Sequence, residues 1–407
     1  MLEHPEDEFL IGVDGGATEV KAHEVVALPR DGESAGGIPT LALGPASASF
    51  LYDRARGFRP VPMPPQLLAF QKGAIRPGGL EGAQARLWLE ASARAIASVA
   101  EEAGKRRARI GICMPGLKTA DGRGIAVMRR GPRIPDYLDR LEALLAEGGL
   151  TLERPVARLS SDGEACAHGE RIDAHGLLRG ISCAYYLGGG TGIAEALVIE
   201  GAIRGFDTLA GFVRKAWQME APGGRIVEDL LSPRGMNSAY AALSGKRLPL
   251  AAANHPEQRA LAGDEKGIAV LKDAAEALAT VVLDRMTALR RGFEAGAGAG
   301  GAIAPLRITP NTFLERVVVG QRLGGLFAAE ELRPVFRDPV EELLARKIVA
   351  TGDGALRKHY LDGSSLRADL LVGSRLRAAP ALGAVAIELE ASAKTEASRV
   401  EAPWDER

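Results

Sequence analysis

Three short stretches of this chain combine residue types that can handle a phosphate and a hydroxyl. Asp14-Gly15-Gly16-Ala17-Thr18 lies at a bend between two apolar, strand-like runs, FLIGVD and EVKAHEVVAL. Gly188-Gly189-Gly190-Thr191-Gly192 lies at a second bend, inside ISCAYYLGGGTGIAEALVIEGAI. At a glycine-rich bend successive backbone N–H groups can converge on an anion, and no Cβ keeps a phosphate away. Asp14 can hold Mg2+ through water, because magnesium prefers oxygen ligands and keeps several waters. Either bend alone also reads as an ordinary hairpin turn. Two of them, one in each half of the chain, favour the phosphate reading. Neither fits GxxxxGK(S/T), which excludes a P-loop. The third stretch, RLSSDGEACAHGE, offers Asp162 between a strand and a helix, where a fixed carboxylate can activate a hydroxyl. The same aspartate can instead N-cap the helix that begins near Gly163.

Other patterns carry less. GAGAGG at 296–301 matches GxGxxG in letters, but it follows a helical stretch and opens no clear helix, so it reads as a connector. The six histidines (His4, His23, His168, His175, His255 and His359) form no HExxH or related cluster. Cys113, Cys166 and Cys183 are widely spaced, with no CxxC pair, which points to a reducing cytoplasm. The formal net charge of −1 argues against a general nucleic-acid or membrane-surface binder. MLEHPEDEFL lacks the features of a secretory signal, and no apolar stretch approaches the ~20 residues that span a bilayer.

Elements that can position these residues alternate along the chain. With 407 residues, two lobes of ordinary domain size are expected. FLIGVD, EVKAHEVVAL and IPTLALG (38–44) suit one antiparallel sheet, and the Pro- and Gly-rich stretch 57–82 reads as an irregular excursion. AQARLWLEASARAIASVAEEAG has helical spacing, and RIGICMPG is a buried strand stopped by Pro115-Gly116. IPDYLDRLEALLAEG, PVARLSSDG and EACAHGERIDAHG then read as helix, strand and helix. After the second glycine bend, EDLLSPRGMNSAYAAL and KGIAVLKDAAEALATVVLDRMTALRRG read as helices. LERVVVG and a strand near 370 follow, then a final Ala-rich helix. Strand-helix-strand order implies an α/β protein.

DGGAT, ICMPG, SSDGEACAHGE, LGGGTGIAEALVIEGAI and VVVGQRLGG, in that order, resemble the actin-like ATPase-fold sugar kinases, and most of all the ROK group (repressors, ORFs and sugar kinases). The likeness covers about residues 9–390. It implies a two-lobed actin-like ATPase (ribonuclease H-like) fold, mixed sheets flanked by helices, with the lobes hinged about an ATP cleft. The expected lobes are 1–122 plus about 384–400, with the last helix packed back on the first lobe, and 123–383; 401–407 is a loose tail.

The resemblance also assigns roles. Asp162 takes the place of the catalytic base. Asp14, Gly15, Gly16 and Thr18, with Gly190, Thr191 and Gly192, grip phosphates, and Asp14 holds Mg2+ through water. Gly320, Gly324 and Gly325 fall in the adenosine-binding segment; Gly116, Ser161 and Glu228 fall in the acceptor site. The implied reaction moves a phosphoryl group from MgATP to a hydroxyl of a sugar or sugar-like polyol, through positioning and electrostatics. The resemblance allows a homodimer.

The departures concern the acceptor half. Ser161-Asp162 replaces an Asn-Asp pair. LAGFVRKAWQMEAPGG has neither the family's Glu-x-Gly-His segment nor its cysteine-rich zinc loop, with Phe212 near the glutamate's place and Arg214-Lys215 near Gly-His. Without cysteines no thiolate zinc site forms there, so no structural zinc is expected. Glu228 still matches the glutamate expected on a sugar hydroxyl, although it also reads as a surface acid on an amphipathic helix. Glu19 stands where a lysine is common. These changes leave a second function open, a nucleotide-binding regulator or degenerate kinase without turnover. Transfer to a carboxylate is a third. A ROK repressor is disfavoured, because the first phosphate motif starts by residue 9 and leaves no room for a helix-turn-helix.

Overall fold

The computed structural model of the chain describes residues 8–28, 39–190, 192–206, 209, 213–245, 255–294 and 307–400, with 394–400 given as backbone only. Thr191, the GAGAGG stretch and the 401–407 tail lie outside the described residues. Two compact units emerge: Met1–Arg179 with Ala378–Arg407, and Gly180–Arg377. The division falls at Gly180 rather than near residue 123. Residues 123–179 go with the first unit because they add strands to its sheet and a helix to its face.

Unit 1 runs β1 (Leu10–Gly15), β2 (Glu19–Ala27), β3 (Leu41–Leu51), α1 (Met63–Gln71), α2 (Gly79–Glu102) and β4 (Arg107–Cys113). It continues through β5 (Leu117–Lys118), β6 (Ile125–Val127), α3 (Tyr137–Glu147), β7 (Thr151–Leu152), β8 (Leu159–Ser160) and α4 (Asp162–Ile172). Unit 2 runs β9 (Ala184–Gly189), β10 (Ile193–Ile199), β11 (Ala202–Gly205), α5 (Val227–Leu231), α6 (Pro233–Ser244), α7 (Pro256–Leu261) and α8 (Glu265–Arg291). The short β12 (Phe293–Glu294) and β13 (Arg307–Ile308) follow, then β14 (Arg316–Gly320), α9 (Gln321–Phe327), α10 (Arg337–Ala350) and α11 (Gly354–Tyr360). Last come β15 (Leu361–Asp362), β16 (Ser365–Leu366) and β17 (Leu371–Gly373), before α12 (Ala379–Val400) returns to unit 1.

The two main sheets are wired alike. In unit 1 the order is β3-β2-β1-β4-β7, with β8 also on β4. In unit 2 it is β11-β10-β9-β14-β17. Each opens with a three-stranded antiparallel meander, and parallel strands follow on the other side of its first strand. Each glycine bend is therefore the first hairpin of its own sheet. The meander gives the period-2 pattern read from the sequence, while the parallel strands β4 and β14 are nearly all buried.

Helix α2 buries Ala85, Trp88, Leu89, Ser92, Ala95, Ile96 and Val99, a spacing that keeps one face on the sheet. Trp88 stacks on Tyr52 with ring centroids 4.2 Å apart. Helix α12 lies so close to the sheet that glycine is required beneath it. A Cβ on Gly12 would stand 2.3 Å from the Ala381 carbonyl oxygen, and one on Gly383 would stand 1.7 Å from that of Ala165 in α4.

Two readings of the sequence change. Part of the 57–82 excursion is α1, because its Pro-Pro pair sits in the first helical turn, where a missing N–H costs nothing. EDLLSPRGMNSAYAAL is two helices, α5 and α6, broken where Ser232 caps Gly235 N and Pro233 starts the next helix.

The return of α12 buries Glu388 against β4. Its Oε2 accepts Ala157 N–H at 2.9 Å, and Arg109 donates to its main-chain carbonyl at 3.1 Å. Burial nevertheless pushes this carboxyl up to about 7. The folded state then holds a proton between the unfolded value, near 4.5, and about 7. Stability is full below that window and falls as pH rises through it. Glu388→Gln, which keeps an acceptor for Ala157, is expected to raise the melting temperature at pH 8, by at most about 3 kcal/mol of stability. The gain should vanish near pH 4. Thermal unfolding of both proteins across that range checks it.

Candidate functional site

In unit 1 the sheet brings together residues far apart in sequence. Asp14, near the C-terminal end of β1, pairs with Cys113 on the parallel β4 and with Lys21 on β2. β8 runs parallel to β4 with Ser160 opposite Cys113, so Asp162 leaves the sheet at the same strand ends. Carboxyl ends of parallel strands are where α/β sheets collect ligands. Burial pushes the Asp14 carboxyl up to about 6, against the pull of Lys21, and the nearby charge of Asp162 raises it further. The Cys113 thiol donates weakly to Asp14 Oδ1 at 3.8 Å.

Asp162 is not the cap of α4. Ser161 is, its Oγ accepting Glu164 N–H at 3.2 Å. Asp162 is the first helical residue; its Oδ1 accepts the N–H of Gly163 at 3.0 Å, and the side chain keeps partial exposure. The hydroxyl expected at the acceptor is therefore occupied as a helix cap.

Gly116 adopts φ +90°, and a Cβ there would stand 2.3 Å from the Val127 carbonyl oxygen. The Pro115-Gly116 turn thus rests on the β5–β6 hairpin, with Met114 N–H donating to Ser160 O at 3.0 Å beside Asp162. Sequence reading missed Lys118, whose ammonium donates to the Met114 and Gly116 carbonyls, each at 2.7 Å. Desolvation would raise the neighbouring Glu164, but the hydrogen bond from Arg158 and the charges of Arg158, His168 and Lys118 hold it below the usual range. Beyond β6 the chain is fixed from the excursion. Gln66 of α1 bonds Met128 N–H at 2.7 Å and Met128 O at 2.9 Å, and buried Glu81 of α2 holds Arg133.

At the first glycine bend, a Cβ on Gly15 would lie 1.9 Å from Met114 Sδ. Gly16 N–H is used by Glu19 O at 2.8 Å, so an anion would meet the amides further round the turn, at Ala17 and the exposed Thr18. Glu19 pairs with Lys21 at 2.9 Å.

Unit 2 gathers a second set. Gly188 of β9 is opposite Gly320 of β14, so the GGGTG bend and the VVVGQ segment are neighbours. Gly320 leaves room for Tyr186, whose hydroxyl would lie 2.1 Å from a Cβ there. Gln321 holds φ +55°, a left-handed conformation costly outside glycine, and its Oε1 would be 3.0 Å from a Cβ on Gly190. Gly190 N–H bonds Gly192 O at 2.9 Å. Gly324 packs against the Val319 and Ser374 carbonyls, and Gly325 faces the guanidinium of Arg377. Glu228 is not a surface acid: it is 6% exposed, and its Oε2 accepts Ile193 N–H at a long 3.4 Å beside Gly192. The Arg214 side chain, which stands near the place of the family's Gly-His, reaches Asp284 at 3.3 Å.

A cation fits the first set on the chemistry of its donors. Asp14 is a carboxylate that burial leaves short of solvation, and a second carboxylate stands close to it. Among the described residues no group of three or more His, Cys, Asp or Glu can hold a metal ion. A cation at Asp14 would take most of its ligands from water and phosphate, as Mg2+ does. No helix of the described residues is long and apolar enough to cross a membrane.

No family model matches the chain, and no curated protein does. Solved structures do. The ROK family glucokinase from Streptomyces griseus in complex with glucose and AMPPNP aligns with a TM-score of 0.53 and 14% identity, covering 94% of this chain and 99% of that one. The ROK hexokinase from Thermus thermophilus aligns at 0.51 and 18%, covering 94% and 99%. A ROK family transcriptional regulator, a homologue of the E. coli MLC protein, aligns at 0.52 and 10%, covering 94% of this chain and 79% of that one. The chain has the α/β fold of the ROK sugar kinases, the actin-like ATPase fold.

Proposed function

We propose that this protein is an ATP-dependent kinase that phosphorylates a hydroxyl of a sugar or sugar-like polyol. The observation that carries this reading is the pair Asp14 and Asp162, set together at the carboxyl ends of parallel strands, both partly exposed, with desolvation and then the charge of Asp162 raising the Asp14 carboxyl. Asp162 orients the acceptor hydroxyl and takes its proton. Asp14 and the bend after it are phosphate-binding residues in this reading, as are Gly190, Thr191 and Gly192. Glu228 meets an acceptor hydroxyl. The Gly320–Gly325 segment, beside the second bend, serves the adenosine. Mg2+, held by Asp14 through water, supplies charge neutralisation on the phosphates when bound.

A second reading has its own support. The aligned transcriptional regulator and the replaced Glu-x-Gly-His segment are compatible with a nucleotide-binding regulator that does not turn over. ADP release with MgATP, screened over sugars, amino sugars and polyols, separates the two. A kinase shows acceptor-dependent release. Saturable ATP binding with no release on any acceptor supports the regulator, and no ATP binding overturns both.

A further inference from the structure

Unit 2 contains a buried charge network that sequence gave no reason to expect. Glu195 on β10 and Arg285 on α8 are 6% and 0% exposed. Glu195 Oε1 accepts Arg285 Nη2 at 2.9 Å and the Tyr185 hydroxyl at 2.7 Å. Its Oε2 accepts the backbone N–H of Ala216 at 2.8 Å. Arg285 also donates to the Arg214 carbonyl at 2.6 Å and lies over the Phe206 ring at 4.9 Å. Both ends of the pair therefore hold the backbone of residues 214–216.

That segment leads by fixed steps to Glu228. Ala216–Gln218 form a single helical turn, and Met219 O then accepts Val227 N–H at 2.9 Å. Between them Ala221 N–H closes a tight bend on Arg225 O at 2.8 Å. Val227 opens α5, and the next residue, Glu228, returns to Ile193 N–H. Ile193 is two residues before Glu195 on the same strand, so the chain of bonds closes on itself.

We infer that Glu195 and Arg285 are positioning residues: they clamp the 214–216 backbone and thereby aim Glu228 at the acceptor beside the GGGTG bend. A buried ion pair is a weak source of stability compared with apolar packing of equal volume. What it gives here is direction, since the Arg fork and the carboxylate fix several backbone groups at once. The clamp rests on the kinase reading only for Glu228's contact with the acceptor.

The double variant Glu195→Gln/Arg285→Met removes both charges together and leaves neither stranded. Amide hydrogen exchange at Ile193 and Val227 is expected to speed up by ~10-fold in the native protein. In steady-state kinetics the acceptor KM should rise by ~10-fold, with kcat and the ATP KM within about twofold of wild type. Unchanged exchange at both amides, or a parallel fall in all three kinetic constants, overturns the clamp. If wild type turns over no acceptor, the kinase reading fails while exchange still decides the clamp. If the double variant does not fold, Tyr185→Phe, which deletes one donor to Glu195, replaces it. Faster exchange at the same two amides supports the clamp, and no change overturns it.

Discussion

Asp162→Asn should lower acceptor-dependent phosphoryl transfer by about 100- to 10,000-fold, the usual contribution of a positioned general base. The fold should not notice. Asn keeps an oxygen for the Gly163 N–H, and the cap of α4 belongs to Ser161. Nucleotide binding should remain, because the backbone N–H that the Asp162 side chain holds among the described residues belongs to Gly163, outside both glycine bends. A second consequence follows from the carboxylate pair. Asp162 is one of the charges that raise Asp14, so its removal should lower the Asp14 titration. ADP-release assays beside thermal unfolding and a nucleotide titration check the first part. A variant with wild-type turnover would remove Asp162 from the mechanism.

Asp14→Asn is expected to abolish Mg2+-dependent turnover and yet make the protein more stable at neutral pH. The carboxyl titrates near 3.8 when unfolded and near about 6 when folded, chiefly because burial disfavours its charge. Between those values the folded state binds more protons, so stability is full below the window and is lost as pH rises through it. Above pH 6 the loss is complete, up to about 3 kcal/mol for a shift of this size. Asn carries no such charge, so the variant should melt higher than wild type at pH 7.5 and match it near pH 4. With Mg2+ limiting, wild-type turnover should fall on the acid side near pH 6, where Asp14 takes up a proton, and the fall should move to lower pH as Mg2+ is raised, because the cation favours the carboxylate. A less stable Asp14→Asn protein at pH 7.5 would mean that the carboxylate is structural rather than poised for a ligand.

The parts legible in the sequence are those written locally. Strand, glycine bend and strand lie within about 20 residues of each other, so both hairpins could be read directly, whereas the place of each at the head of its own sheet comes from long-range pairing. Asp162 was legible as a strand-to-helix carboxylate, but its neighbour's hydroxyl, not its own carboxylate, caps the helix. Composition misled where proline has two uses: the run after Arg59 looked irregular, although its prolines suit a first helical turn.

Long-range pairings left no local trace. Glu195 and Arg285 are 90 residues apart, and each alone reads as an ordinary charge on a strand or helix. Glu228 stayed open between an acceptor-site glutamate and a surface acid, because a five-residue helix shows too little period to reveal its buried side. The division between the units was misplaced for a similar reason. β7 and β8 have two residues each, and their pairing with β4, which joins residues 123–179 to the first sheet, leaves no local pattern.

The measurement that bears most directly on the proposed chemistry is a single turnover with γ-labelled MgATP and excess sugar, using wild type and Asp162→Asn side by side. A kinase with this base places the label in an acid-stable sugar phosphate, only when the acceptor is present, and the variant binds nucleotide but transfers the label at least about 100-fold more slowly. Label that stays on ATP, or that appears as inorganic phosphate whichever acceptor is supplied, would contradict it.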